Sequence, residues 1–234
     1  MPPLFLFPAP LKKAKHFVST QRTIILPLHH QMPPSTHRYF ALNKPFNMVS
    51  QFVSVENVRL LSHLDYKFPE GTHTIGRLDS LSEGLLLLST NKKAIRLLFQ
   101  GKTPHKRTYL VRVINTVSPE KVQQLCDGVT IRIRGGGDYV TQPCEVHLLD
   151  TPPDVYPHQL EQNPYIANSW LQVSLYEGKY HQVRNMMRAV NHPCRRLIRI
   201  SIEDMVLGDL APGCVREIEE EEFFRLLRID DWDK

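Results

Sequence analysis

The sequence predicts an α+β fold with a largely antiparallel central sheet. Three features carry that prediction. Short segments of strand composition recur at residues 85–88, 108–114, 129–133, 170–176 and 197–202. Turn residues punctuate them, as at Gly135–Gly137 and Gly178. Helical periodicity is confined to a few stretches, the clearest following His181. Strands joined by short turns and mixed with several helices define an α+β domain.

The elements follow in order. Residues 1–37 are rich in Pro, Lys, His, Ser and Thr and hold no sustained period, so they read as a flexible basic arm. Their lack of acids also fits an organelle-targeting segment, and Met32 offers an alternative start. Residues 38–234 are expected to form one domain. Tyr39–Asn43 has strand character and Pro45 ends it. Leu85–Leu88 is unbroken leucine, the pattern of a strand buried on both faces. Asn91 is placed to cap a helix carrying Ala94, Leu97 and Leu98, with Gly101 as its stop. TYLVRVI, residues 108–114, is a strand by its β-branched content. Ser118-Pro119 opens a helix and Gly128 closes it. VTIRI, residues 129–133, alternates as a strand. Residues 151–168 hold four prolines and read as a long surface loop. WLQVSLY, residues 170–176, is a strand. In the helix after His181, Val183, Met186, Met187 and Val190 make a core stripe, with Arg184, Asn185 and Arg188 opposite. LIRISI, residues 197–202, alternates as a strand, and Phe223, Phe224 and Leu227 anchor a final acidic helix.

Charge is unevenly distributed. The net charge is +5. Residues 1–55 contain six lysines and arginines and no acid, whereas residues 217–234 are strongly acidic. A basic arm ahead of a mildly basic middle fits a polyanionic partner, because each phosphate contact releases counterions. No apolar run approaches the roughly 20 residues of a membrane span. The four cysteines form no CxxC and have no zinc-like spacing, which points to a reducing compartment and no metal site.

Two motifs fail on inspection. GKT at 101–103 lacks the upstream glycine of a phosphate-binding loop, since position 96 is Arg96. His181 has the chemistry of a base, but no serine or cysteine stands in an elbow-like context, which argues against a hydrolytic triad. GRLDSLSEG, residues 76–84, is different. It sets Asp79 beside Arg77 at the mouth of a buried strand, where sites are built. An Arg-x-Asp pair is often only a surface clasp. At a strand mouth, an aspartate held ionised by an arginine has the chemistry of a nucleophile or of a stabiliser for a developing cation.

Five blocks occur in sequence: NKP at 43–45, HTIGRLDSLSEGLLLLST at 73–90, RTYLVRV at 107–113, LYEGKYHQVRNMM at 175–187 and DLAPGCVREI at 209–218. Together they resemble the ribosomal RNA pseudouridine synthases of the RsuA/RluB/RluE branch, over about residues 38–228. The resemblance implies that family's catalytic fold: a central, mostly antiparallel mixed sheet in two subdomains, flanked by helices, with an RNA cleft between them. It implies isomerisation of uridine to pseudouridine with no cofactor and no metal.

The resemblance also implies roles. Asp79 matches the essential aspartate that promotes cleavage of the C1′–N1 bond, by adding to the sugar or through a glycal. Arg77 matches the arginine that wedges into the duplex where the base flips out. Tyr109 matches the tyrosine that stacks on the uracil, and Leu175 the apolar residue on its other face. Arg184 matches the basic residue that pairs with the aspartate. Lys106, Arg107, Lys179 and Arg188 are the expected RNA-backbone contacts. Lys44-Pro45 matches a motif shaping the floor of the site. Two positions depart from the pattern: Arg107 stands where relatives have lysine, and Asn185 interrupts a paired basic motif. Read alone, Tyr109 and Leu175 are core residues and Arg184 is a solvated helix charge; only the joint pattern lifts them.

Many relatives carry a small RNA-binding module ahead of the catalytic domain, and residues 1–37 are too short and too polar to form one. That favours 23S ribosomal RNA, or the large-subunit precursor, as partner, bound by a cytoplasmic monomer with no membrane association. A small-subunit (16S) enzyme of RsuA type, a non-catalytic ribosome assembly factor, and a glycoside hydrolase using Asp79 with Glu83 are the competing readings.

Overall fold

The computed structural model describes residues 37–99, 103–158 and 167–233. The expected arm up to residue 36, the Gly101 helix stop and residues 159–166 of the expected loop lie outside them. Among the described residues there are eleven strands and four α-helices. In chain order they are β1 (Tyr39–Lys44), β2 (His73–Ile75), β3 (Glu83–Ser89), α1 (Lys93–Phe99), β4 (Arg107–Ile114) and α2 (Pro119–Asp127). Then follow β5 (Thr130–Arg132), β6 (Asp138–Val140), β7 (Glu145–Leu149), β8 (Asn168–Leu175), α3 (Gln182–Ala189), β9 (Cys194–Ile202), β10 (Met205–Val206), β11 (Val215–Ile218) and α4 (Glu220–Leu226).

Nine strands form one mixed sheet in the order β11-β1-β3-β9-β4-β8-β7, with β2 against β3 and β10 against β9. Its pairings are antiparallel except β3–β9, which is parallel and spans only two register pairs, Glu83↔Ile198 and Gly84↔Arg199. That short joint is the seam between two halves of the sheet. Glycine is required there. Gly84 has φ +96°, and a Cβ on it would lie 2.3 Å from the Arg199 carbonyl oxygen, so a side chain would push the two strands apart.

The leucine run shows why β3 is central. Side chains alternate across a sheet, so Leu85 and Leu87 enter one core cluster with Tyr39 and Ala41, while Leu86 and Leu88 enter another with Phe40 and Leu42. The first cluster is a continuous back layer. It runs on to Leu110, Ile198 and Trp170 and is closed by Phe223 and Phe224 of α4. The front layer is divided. One cluster sits on β1 and β3, and the other is formed by β4, β8 and the Val183, Met186 and Met187 stripe of α3. Tyr109 packs against both front clusters, so it marks the bottom of the cleft between them.

Helix termini follow their sequence signals. The Asn91 side chain accepts from the Lys93 amide at 3.0 Å, and Gly128 leaves α2 with φ +107°. The expected strand around 129–133 forms only a two-stranded ribbon, β5 with β6. Among the described residues no helix is long and apolar enough to cross a membrane.

Candidate active site

Asp79 sits two residues beyond the exposed Arg77, in the loop that feeds β3. The loop is fixed on both sides of it. Ser50 Oγ donates to the Leu78 carbonyl at 2.8 Å and accepts from the Leu78 amide at 3.0 Å. Beyond Asp79, the Ser80 carbonyl accepts from the Met48 amide at 3.2 Å and from Lys44 Nζ at 3.3 Å. The Ser82 amide closes the turn onto the Asp79 carbonyl at 3.0 Å. A carboxylate on a loop held this way is oriented before any substrate arrives.

Lys44 is fully buried and donates to three carbonyls, those of Pro45, Met48 and Ser80. Burial pushes its ammonium down to about 7, against the pull of Glu83 and Asp79. It ties the end of β1 to the back of the Asp79 loop, and neither Lys44 nor Pro45 lines the cavity itself.

Asp79 opens onto a cavity of about 790 Å³ in the front cleft. Of the expected site residues, Arg77, Asp79, Arg107, Tyr109, Leu175 and Lys179 line it together. Sheet register explains the grouping. Arg107 pairs with Leu175 across β4–β8, and Tyr109 pairs with Arg199 across β4–β9, so these side chains share the front face. Tyr109 is half-buried and Leu175 is 3% exposed, so this wall of the cavity presents an aromatic ring beside an apolar side chain, a surface suited to a flat ligand.

Three expected residues stand elsewhere. Lys106 lies one residue before β4 and does not line the cavity; its Nζ donates to Glu145 at 2.7 Å. Arg188 is exposed in the last turn of α3 and does not line the cavity. Arg184 does not make the implied pair with Asp79. Its Nη2 donates to the Leu81 carbonyl at 2.7 Å and to Ser82 Oγ at 3.3 Å, so it braces the Asp79 loop from behind. The side chain next to Asp79 is that of His181, whose Nε2 lies 3.4 Å from Oδ1, both side chains being 36% exposed.

His181 is the site residue that the sequence reading set aside. It precedes α3 in a left-handed conformation, φ 51° and ψ 29°, with its ring stacked on Tyr180 at 3.9 Å. The turn that holds it is built on Glu177, which accepts from Gln182 Nε2 at 2.5 Å, from Tyr139 Oη at 2.5 Å and from the Gln142 amide at 2.9 Å. Arg199 was also missed. Both residues fall inside strongly patterned segments, but only tertiary register brings them to Asp79. The Asp79–Glu83 pair needed by a glycoside hydrolase does not form. Glu83 points to the back of the sheet, where Arg196 holds it at 2.9 and 3.0 Å.

A carboxylate opening onto a cavity lined by an aromatic ring, an apolar side chain and several cations fits an enzyme that acts on a nucleoside. The chain belongs to the RNA pseudouridylate synthase family, which it matches over residues 38–189, and the family's activity is the isomerisation of uridine to pseudouridine. Among curated relatives, ribosomal large subunit pseudouridine synthase E of Xanthomonas axonopodis pv. citri is 33% identical over 73% of this chain and 88% of its own length. The protein of the same name from Vibrio parahaemolyticus is 33% identical over 76% and 72%. Ribosomal small subunit pseudouridine synthase A of Yersinia pestis is 29% identical over 84% and 74%. A solved pseudouridylate synthase superposes with a TM-score of 0.64 at 26% identity, covering 81% of this chain and 74% of that one.

Proposed function

We propose that this chain isomerises a uridine of large-subunit ribosomal RNA to pseudouridine, using Asp79 and no cofactor. The observation that carries the reading is the Asp79 loop, whose backbone on either side of the carboxylate is held by Ser50, Met48 and Lys44 at the mouth of a cavity that Tyr109 and Leu175 line. The large subunit is favoured because the relatives named for it are the more similar of those compared.

The chemistry is redox-neutral. The C1′–N1 bond breaks with its electron pair on uracil, and Asp79 meets the electron deficit at C1′ by adding to it or by promoting loss of the C2′ proton to a glycal. The base turns in the cavity. C5 then bonds C1′, as the Asp79–C1′ bond breaks or the glycal takes back its C2′ proton; the C5 proton leaves and N1 gains a proton. Reaching a base in structured RNA requires flipping it out, and Arg77, exposed on the cavity rim, is placed to fill the vacated position. Arg107 and Lys179 in the cavity wall meet the strand, and Lys106 and Arg188 extend the basic surface beyond it. Arg184 acts through the Asp79 loop. The reading places the protein in the cytoplasm as a monomer.

The test is to incubate purified protein with protein-free 23S and 16S ribosomal RNA transcripts and to map pseudouridine in each. One new pseudouridine in 23S RNA alone is expected. Modification of 16S RNA would reassign the subunit, and binding without modification of either would favour an assembly factor.

A further inference from the structure

Arg107 and Arg199 form an unusual pair in the cavity wall. They are 9% and 3% exposed, and both line the cavity. Burial, and to a lesser degree the charge of Arg199, lowers the affinity of Arg107 for its proton. Among the described residues neither has a carboxylate within 4.0 Å. Glu203, whose field reaches Arg107, accepts from the Lys106 amide at 2.6 Å and has Arg228 Nη1 at 3.6 Å. Glu177, the other cavity carboxylate besides Asp79, is taken up by Tyr139, Gln142 and Gln182. Arg199 Nε donates to the Leu85 carbonyl at 2.8 Å, and its buried Nη2 has no partner in the protein.

Among the described residues the Arg107 guanidinium reaches only the Tyr176 carbonyl at 3.4 Å and the Phe99 ring at 5.1 Å, and two buried guanidiniums in one cavity wall without a counter-ion are costly unless an anion completes them. Their neighbours say which anion. Arg199 is the register partner of Tyr109, and Arg107 is that of Leu175. The cations therefore flank the wall formed by Tyr109 and Leu175 rather than the exposed rim. We propose that Arg199, with Arg107 beside it, contacts the carbonyl oxygens of the uracil and stabilises the negative charge that the base carries once it leaves the sugar. The proposal rests on the isomerase reading of the cavity. When C1′–N1 breaks, the electron pair left on N1 delocalises onto O2 and O4. Fixed cations at those oxygens lower the barrier without reorganising. The electrons return to C1′ when the C5 bond forms, so nothing is consumed.

The test uses the full chain with 23S transcripts made with uridine or with 5-fluorouridine, under single-turnover conditions. It follows conversion of the target nucleotide to its carbon-linked form. Arg199→Met is expected to slow uridine conversion about 100-fold with RNA affinity unchanged. Arg199→Lys, which keeps the charge but not the fork, should lose about tenfold and guards against a folding defect in the first variant. Fluorine makes the departing base a more stable anion, so the penalty of Arg199→Met should be clearly smaller with the fluorinated RNA. Equal penalties on the two RNAs, or a defect wholly in RNA affinity as a phosphate contact would give, overturns the assignment. If wild-type protein converts uridine and Arg199→Met matches it, this inference alone fails. If wild-type protein converts none, the isomerase reading fails beneath it.

Discussion

Asp79 and Glu83 are two carboxylates four residues apart, one in the loop before β3 and one at the first residue of that strand, yet they end on opposite sides of the sheet. Glu83 starts β3 with the parity of Leu85 and Leu87, so it points to the back layer and is clasped by Arg196 with both side chains under 10% exposed. Asp79 stays before the strand, opens to the front cleft and keeps a solvent-facing carboxylate beside His181. The same division runs along β9, where Arg196 closes a buried ion pair and Arg199, three residues on, faces the cavity without one. Strand parity separates groups that hold the fold from groups left available for chemistry.

That contrast breaks most visibly by exchanging amides for acids. Asp79→Asn should lower turnover about 10⁴-fold or more while leaving the melting temperature and RNA affinity as they were. Glu83→Gln should do the reverse. It leaves the Arg196 guanidinium buried with only part of its acceptors, which costs about 3 kcal/mol of stability, read by denaturant unfolding, while activity per folded molecule stays close to wild type. The comparison sharpens with a second change. Glu83→Gln combined with Arg196→Met removes the stranded charge, so the double variant should be more stable than Glu83→Gln alone.

Much of this was legible beforehand. The leucine run, the α3 stripe and the Asn91 cap each carried a local signal, and each produced its element. β7 and β11 were not read, because EVHLL and VREI are short, half-exposed edge segments whose pairing is decided by neighbours. In the site, Asp79, Tyr109 and Leu175 came from a joint pattern of blocks. The difference between Arg184 and His181 could not come from that pattern. They are three residues apart on one turn, and which of them faces Asp79 depends on the left-handed residue that starts α3. Arg199 was hidden for a similar reason: the alternation of LIRISI marks a strand but not which of its faces forms the cavity wall.

Lys44 gives a smaller effect with a definite sign. Its folded value near 7 lies below the ordinary 10.5, so between those pH values the unfolded chain binds more protons than the folded one. Stability from this group is lowest below about pH 7 and recovers as pH rises toward 10.5. Wild-type stability relative to Lys44→Met should therefore climb over that window, by no more than about 1.4 kcal/mol per pH unit. A flat difference would mean that the three carbonyl acceptors keep the ammonium charged throughout.

The most direct measurement of the central claim is made in cells. The gene is deleted, pseudouridines are mapped across both ribosomal RNAs, and the strain is complemented with wild type or with Asp79→Asn at equal protein level. One large-subunit position should lose its pseudouridine on deletion, regain it with wild type and stay uridine with the asparagine variant. Restoration by Asp79→Asn would contradict the account.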